Sequence, residues 1–277
     1  MDGIAVLGPA RIIADAVAQP LPSRRQRLLL AMLITRLDQP VAGSALTEAL
    51  WGDDLPQHPA AALQSQVFRM RRQLTSAGVR IETVGDGYRL DAERAAIDAC
   101  RFEDLVADAG EHRHDPPVAL ELLEQALALW RGRAFDDVAD DPAIIGHATR
   151  LDELRADVSE RRARLLIDLG RAAEAASAME AVSEEHPFRE QPVAIRMRAL
   201  ARQGRHADAL AAYSAFRSRL GEALGLEPSP ELRAVEQEIL THDQPVRPRI
   251  GLPGNSLVGR AVELADVAAH LRSGRVV

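Results

Sequence analysis

From Asp98 to about residue 240, apolar residues recur at helical spacing in one segment after another, near 99–110, 117–130, 143–169, 172–186, 190–203, 206–224 and 230–240. Only short breaks at Gly, Pro or Asp separate them. About half of the chain is thereby committed to packing helix on helix. Within it, Leu169-Gly170-Arg171 and Gln203-Gly204-Arg205 stand 34 residues apart, and each glycine is followed at +5 and +8 by alanine (Ala175, Ala178; Ala209, Ala212). That is the period of two-helix repeats, and small residues there let antiparallel helices approach closely. An ordinary helical bundle can also contain one such pair, so the spacing favours a repeat-like array over other bundles without fixing it.

The first hundred residues read differently. Ile4–Leu7 and Ile12–Ala18 look like strands separated by Gly8-Pro9. Ser23 is placed to cap a helix over Arg24–Leu37, and a second helix over Ser44–Trp51 ends at Gly52. After the Asp53–Pro59 turn, Ala60–Ser76 carries Leu63, Val67, Met70 and Leu74 as one narrow apolar stripe. Ile81–Val84, the Gly85-Asp86-Gly87 turn and Tyr88–Asp91 then form a predicted hairpin. Helix, helix, helix, hairpin is the order of a winged helix-turn-helix. The expected fold is therefore mainly α, an N-terminal α/β winged helix-turn-helix followed by an all-α TPR-like (tetratricopeptide-like) domain. The predicted segments are 1–96, 97–241 and, after a Pro- and Gly-rich linker, 242–277. Arg275-Val276-Val277 looks like a strand just starting, which suggests a fragment.

Composition closes several routes to function. All 34 basic residues are Arg and none is Lys, which excludes a Walker A loop, a lysine Schiff base and an S-x-x-K nucleophile. Cys100 is the single cysteine, so neither an internal disulfide nor a thiolate metal cluster is expected. Neither a signal peptide nor a membrane-spanning run is evident, and the chain reads as cytoplasmic. Aromatics are 3% of residues; Trp130, Phe135, Phe188, Tyr213 and Phe216 are expected to pack between helices. His112 and His114 have no third ligand near them, so no metal is expected. Asp136, Asp137, Asp140 and Asp141 read as a solvated loop.

The net charge of −7 argues at first against nucleic acid, yet it is unevenly placed. Residues 1–98 hold 11 Arg and 11 acids, 99–241 hold 18 Arg and 27 acids, and 242–277 hold 5 Arg and 3 acids. Pro59–Ile81 has four arginines and no acid. At about 100° per residue, Ala61, Ser65, Phe68, Arg69 and Arg72 point away from the apolar stripe, with Gln64, Gln66 and Arg71 on its flanks. Such a face suits a major groove, where Arg bonds guanine and Gln bonds adenine. Taken alone, it also suits a solvated surface helix.

The ordered pieces A-L-W-G-D-D (Ala49–Asp54), F-R-M-R-R-Q-L (Phe68–Leu74), L-W-R-G (Leu129–Gly132) and G-L-E-P-S-P-E-L (Gly225–Leu232) resemble the Streptomyces antibiotic regulatory protein family. Its members join an OmpR-like winged helix to a TPR-like bacterial transcriptional activation domain, and the likeness covers about residues 1–241. It implies an activator that binds double-stranded promoter DNA at direct repeats together with a second copy of itself, and that controls secondary metabolism. Arg69 is the first choice for base contact, with Gln64, Ser65, Gln66 and Phe68 on the same helix and Arg71 and Arg72 mainly on phosphates. Phe68 departs from the family's small or polar residue; a thymine methyl, a neighbouring copy and the preceding helix are its alternative contacts. Arg24 and Arg25, opening a helix, are candidates for phosphates. Val84 stands where related wings carry arginine, leaving Arg80 and Arg89 as substitutes. The loop from Trp51, through Asp53 and Asp54, to His58 is implied to face RNA polymerase holoenzyme, its sigma factor first and its alpha subunit second, although Trp51 also suits the core. Ser256–Arg260 with Glu263-Leu264 resembles the opening of the NTPase domain in larger members. No catalytic residue, cofactor or membrane contact is expected in this chain. The competing reading is a TPR-like scaffold or ligand sensor.

Overall fold

The computed structural model describes residues 2–242, and the architecture is the expected one, small N-terminal sheets and a winged helix followed by a helical domain. The linker and NTPase opening expected beyond His242 lie outside the described residues. The chain starts with an antiparallel sheet, β1 (Gly3–Ala5), β2 (Arg11–Ala14) and β3 (Val17–Pro20), in that order. The single strand expected over 12–18 is in fact two. Asp15 and Ala16 have φ values of 51° and 62°, the two positive angles a type I′ hairpin turn requires. Alanine seldom adopts that conformation, so the residues themselves hid the turn.

α1 (Arg24–Ile34) starts at Ser23, whose Oγ accepts from Gln26 N at 3.3 Å. α2 (Gly43–Trp51) ends on Gly52, and α3 (Pro59–Leu74) begins with proline at its first position, where no backbone N–H is missed. The wing is the predicted hairpin, β5 (Arg80–Val84) and β6 (Gly87–Asp91), with one addition. β4 (Val41–Ala42) pairs antiparallel with β6, giving the order β4-β6-β5. Two residues are too few to leave a periodic signal. The approach of β4 explains Gly87: a Cβ there would lie 2.3 Å from Val41 O.

Seven α-helices follow among the described residues: α4 (Asp98–Glu111), α5 (Pro116–Leu127), α6 (Ile145–Asp168), α7 (Ala172–Glu185), α8 (Glu190–Arg202), α9 (His206–Leu224) and α10 (Pro230–His242). Gly170 and Gly204, at φ 79° and 74°, close α6 and α8 in the left-handed region. Ala175 and Ala209, five residues on, are fully buried between helices. One hydrophobic core runs from Ile4 in β1 to Val158 in α6, and a second from Leu120 to Ile239. The first core crosses residues 96 and 97 without interruption.

Polar contacts cross the same line. The Asp98 carboxylate accepts from Val6 N at 2.7 Å and Leu7 N at 3.1 Å, and Arg131 Nη2 donates to it at 3.1 Å. Burial pushes its pKa above the ordinary aspartate value, against the pull of these donors. The acidic run expected to be a solvated loop is largely an anchor instead. Asp141 is 7% exposed and accepts from Arg24 Nη2 at 2.8 Å, while Asp137 accepts from Ala10 N at 2.7 Å and lies 3.7 Å from Arg27 Nε. Asp140, on the solvent side, pairs with Arg133. Of the aromatics expected to pack, Phe135, Tyr213 and Phe216 are buried and Trp130 meets Phe102 edge-to-face at 5.2 Å. Phe188 is a correction: it lies in the turn between α7 and α8, on the apolar face of neither helix, and is 45% exposed. Cys100 is buried, and burial pushes its thiol up to about 11. No group of three or more metal-ligating side chains occurs among the described residues. No described helix is long and apolar enough to cross a membrane.

Candidate nucleic-acid interface

α3 sits with its apolar stripe inward: Leu63, Val67, Met70 and Leu74 are all in the first core. The opposite face is therefore presented outward by the pull of burial alone. Ala61, Gln64, Ser65, Phe68, Arg69 and Arg72 are exposed, and Gln66 and Arg71 are half-buried at the flanks. Phe68 is 61% exposed, so packing on the preceding helix is not its use. Ser65 Oγ is turned back to donate to Ala61 O at 3.0 Å.

The arginines of this region divide into two kinds. Arg69 and Arg72 make no ion pair with any described residue, and Arg80 on β5 is likewise exposed and unpaired among them. Arg71 is held. Its Nε donates to Ile81 O at 2.8 Å, its Nη2 to Thr83 Oγ1 at 2.9 Å, and its guanidinium lies 6.0 Å from the Tyr88 ring centre. It ties α3 to the wing. Arg89 on β6 pairs with Glu82 at 2.6 Å, which raises its already high pKa. Arg24 is engaged by Asp141, and Arg25 donates from Nε to Leu50 O at 3.2 Å and stacks 5.7 Å from the Trp51 ring centre. Candidates expected on one DNA surface are thus brought together only in part. Arg69 and Arg72 share the open α3 face, while Arg24, Arg25, Arg71 and Arg89 each have a partner within the protein.

Trp51, the last residue of α2, is half-buried against the first core and Arg25, and the loop that follows runs through exposed Asp53, Asp54 and His58 to α3. Leu55, which belongs to no apolar periodicity in the sequence, is 56% exposed beside them. A large aliphatic residue between two turn-forming residues, Asp54 and Pro56, was the signal. It borders an open cleft of about 540 Å³ between α2, α3 and the wing turn. The loop therefore offers acids and one apolar side chain on one exposed stretch.

Comparison with known proteins bears on both halves. Residues 20–90 match the family model described as transcriptional regulatory protein, C terminal, and residues 97–240 match the bacterial transcriptional activator domain. The regulatory protein AfsR of Streptomyces griseus is 36% identical over 241 residues, 86% of this chain but 24% of that protein. The transcriptional regulatory protein EmbR of Mycobacterium tuberculosis is 34% identical over 244 residues, covering 85% of this chain and 62% of that one. DnrI of Streptomyces peucetius, a regulatory protein, is 32% identical over 252 residues, 87% of this chain and 92% of that protein. The chain thus spans about a quarter of the length of AfsR and nearly all of DnrI. A solved structure of Mycobacterium tuberculosis EmbR, in complex with a low-affinity phosphopeptide, superposes with a TM-score of 0.80 at 31% identity, covering 88% of this chain and 66% of that one.

Proposed function

From its place in the Streptomyces antibiotic regulatory protein family, to which this chain belongs as a transcriptional regulator, we propose that it activates transcription by laying α3 in the major groove of promoter direct repeats. The observation that carries this is the pair Arg69 and Arg72, unpaired among the described residues on the one face of α3 the core leaves open. Arg69 is the base-reading residue, bidentate to a guanine edge. Arg72 and Arg80 neutralise phosphates, and Gln64 reads a neighbouring base. Arg71 acts indirectly by holding the wing against α3. Arg24 and Arg25 are set aside for phosphate contact only if DNA displaces their present partners.

Two copies occupy adjacent repeats, and the Asp53-Asp54-Leu55 stretch of the loop, with Trp51 as its base and His58 as its far end, contacts basic residues of RNA polymerase holoenzyme through the sigma factor. The controlled genes belong to secondary metabolism, and the protein works in the cytoplasm on the nucleoid, with no catalytic step and no cofactor of its own. Support for these finer points is the resemblance together with the exposed acids.

Promoter DNA titrated at two salt concentrations tests the reading. Affinity should fall with a log–log slope of about −0.9 per phosphate neutralised. Arg69→Ala should cost about 1–3 kcal/mol and relax preference at a single base position. Equal affinity of the parent protein for promoter and random duplex would sink the proposal.

A further inference from the structure

A second cleft, of about 250 Å³, lies away from the α3 face, where the C-terminal end of α1 meets the first turns of α4 and α6. Arg36, from just beyond α1, Arg94, Glu103 on α4, and His147 and Arg150 on α6 line it. Three arginines and one carboxylate thus line the cleft, and two of the arginines flank that carboxylate. Glu103 Oε1 accepts from Arg150 Nη2 at 2.6 Å, and its Oε2 lies 3.6 Å from Arg94 Nη2. Arg94 also grips Asp104, at 2.7 Å. Arg36 is exposed and has no ion pair among the described residues. Three positive charges against two negative leave the site cationic before His147 is counted.

His147 reports the same field. His147 is exposed, yet partial desolvation at the cleft wall holds its pKa below the ordinary imidazole value, and the charges of Arg150 and Arg36 push in the same direction, outweighing Glu103. A neutral imidazole beside two guanidinium groups takes up a proton when an anion enters, because the anion offsets the repulsion that keeps the proton off. A doubly charged group gains more from this than a single carboxylate does. Cys100, Phe135 and Leu151 supply an apolar floor on which a few carbon atoms can rest.

We propose that this cleft binds the phosphate ester of a small metabolite, phosphate toward Arg36, Arg150 and His147 and carbon toward Cys100 and Phe135. Its walls come from α1 on the winged-helix side and from α4 and α6 on the helical side, so the bound ester bridges the two parts of one compact unit. The site is separate from the proposed DNA face and stands or falls independently of it.

The test follows the imidazole resonances of His147 by NMR in this chain, at constant ionic strength, with inorganic phosphate and then glycerol 3-phosphate as probes. The expected result is a saturable change, with the His147 titration midpoint raised by about one unit. Glycerol 3-phosphate should bind more tightly than phosphate. Arg36→Gln and Arg150→Gln should each weaken binding at least about tenfold, the loss of one charge-assisted hydrogen bond, while Arg69→Ala leaves it unchanged. Both substituted side chains are exposed, so the fold persists. A midpoint that does not move, equal binding in Arg36→Gln, or loss of binding in Arg69→Ala overturns the site; an ester that binds no better than phosphate overturns the assignment of ligand. Promoter affinity measured on Arg36→Gln should equal that of the parent, which separates failure here from failure of the DNA-binding reading.

Discussion

Arg69 and Arg71 are two residues apart on α3 and do different work. Arg71 is bonded to β5 through Ile81 O and Thr83 Oγ1 and lies near the Tyr88 ring, whereas Arg69 touches no acid among the described residues. Helical periodicity placed both near the outward face, and it could go no further. Which arginine is free depends on what the hairpin brings opposite it, a contact made between residues ten and twelve apart. The same reason hid Asp137 and Asp141, whose partners lie more than a hundred residues away in sequence. The distinction can be measured. Arg71→Ala should destabilise the fold by about 1–3 kcal/mol, since the carbonyl of buried Ile81 loses its charged donor while exposed Thr83 can turn to water, and lower the thermal midpoint by several degrees. Arg69→Ala should leave stability within about 0.5 kcal/mol and act only on DNA affinity. Scanning calorimetry on the two variants checks this, and a stability loss in Arg69→Ala as large as in Arg71→Ala would remove the distinction.

At the scale of elements, legibility followed length. The seven helices from α4 to α10 were readable because each repeats its apolar spacing over three or more turns, and the glycines at 170 and 204 marked where two of them stop. In the winged helix, α1 and α3 are legible from the same spacing, the shorter α2 from the Gly52 that ends it, and the hairpin from the Gly85-Asp86 turn. β4 and the β2–β3 turn were not, because a two-residue strand and a turn made of Asp and Ala carry no periodicity. β4 nevertheless matters to the wing. It gives β6 a second neighbour, with Val41 opposite Tyr88 and Ala42 opposite Gly87, and Gly87 is the residue that permits it. Gly87→Ala would set a methyl 2.3 Å from Val41 O, so backbone must shift. The expected cost is about 2–4 kcal/mol, together with weaker DNA binding as the wing tilts from α3. Amide exchange offers the direct check. Protection at Gly87 and Tyr88 should fall while that of α7 and α8 stays, and unchanged protection on β6 would show that β4 does not brace the wing.

For the molecule as a whole, the physical question is whether the winged helix and the helices after it fold as separate bodies. The family models divide at residues 90 and 97, yet Met1–Ile239 forms one compact unit. The reason lies in the first strand and the loop after it. Val6 and Leu7 give their N–H groups to Asp98, and their carbonyls accept from Phe135 N at 2.7 Å and Arg131 N at 2.8 Å. Cutting the chain near residue 96 would leave these groups without partners and would uncover the side of α1 that Val138 and Ala139 help to bury. α6 carries the coupling onward, with Val158 in the first core and Ala163 and Leu166 in the second. The two tryptophans make this testable, since Trp51 lies at the end of α2 and Trp130 packs on Phe102 of α4. Trp51→Phe and Trp130→Phe each leave one reporter, on the helical and winged-helix side respectively. In a shared core both reporters should unfold at one urea midpoint, after correction for the stability each substitution removes, and with equal slopes, because the slope scales with the surface exposed in a single transition. A winged helix that melts separately would give Trp51 a lower midpoint and a shallower slope than Trp130. In that case Asp98, Asp137 and Asp141 would be contacts between independent bodies, and the anion cleft between α1, α4 and α6 would open and close with them.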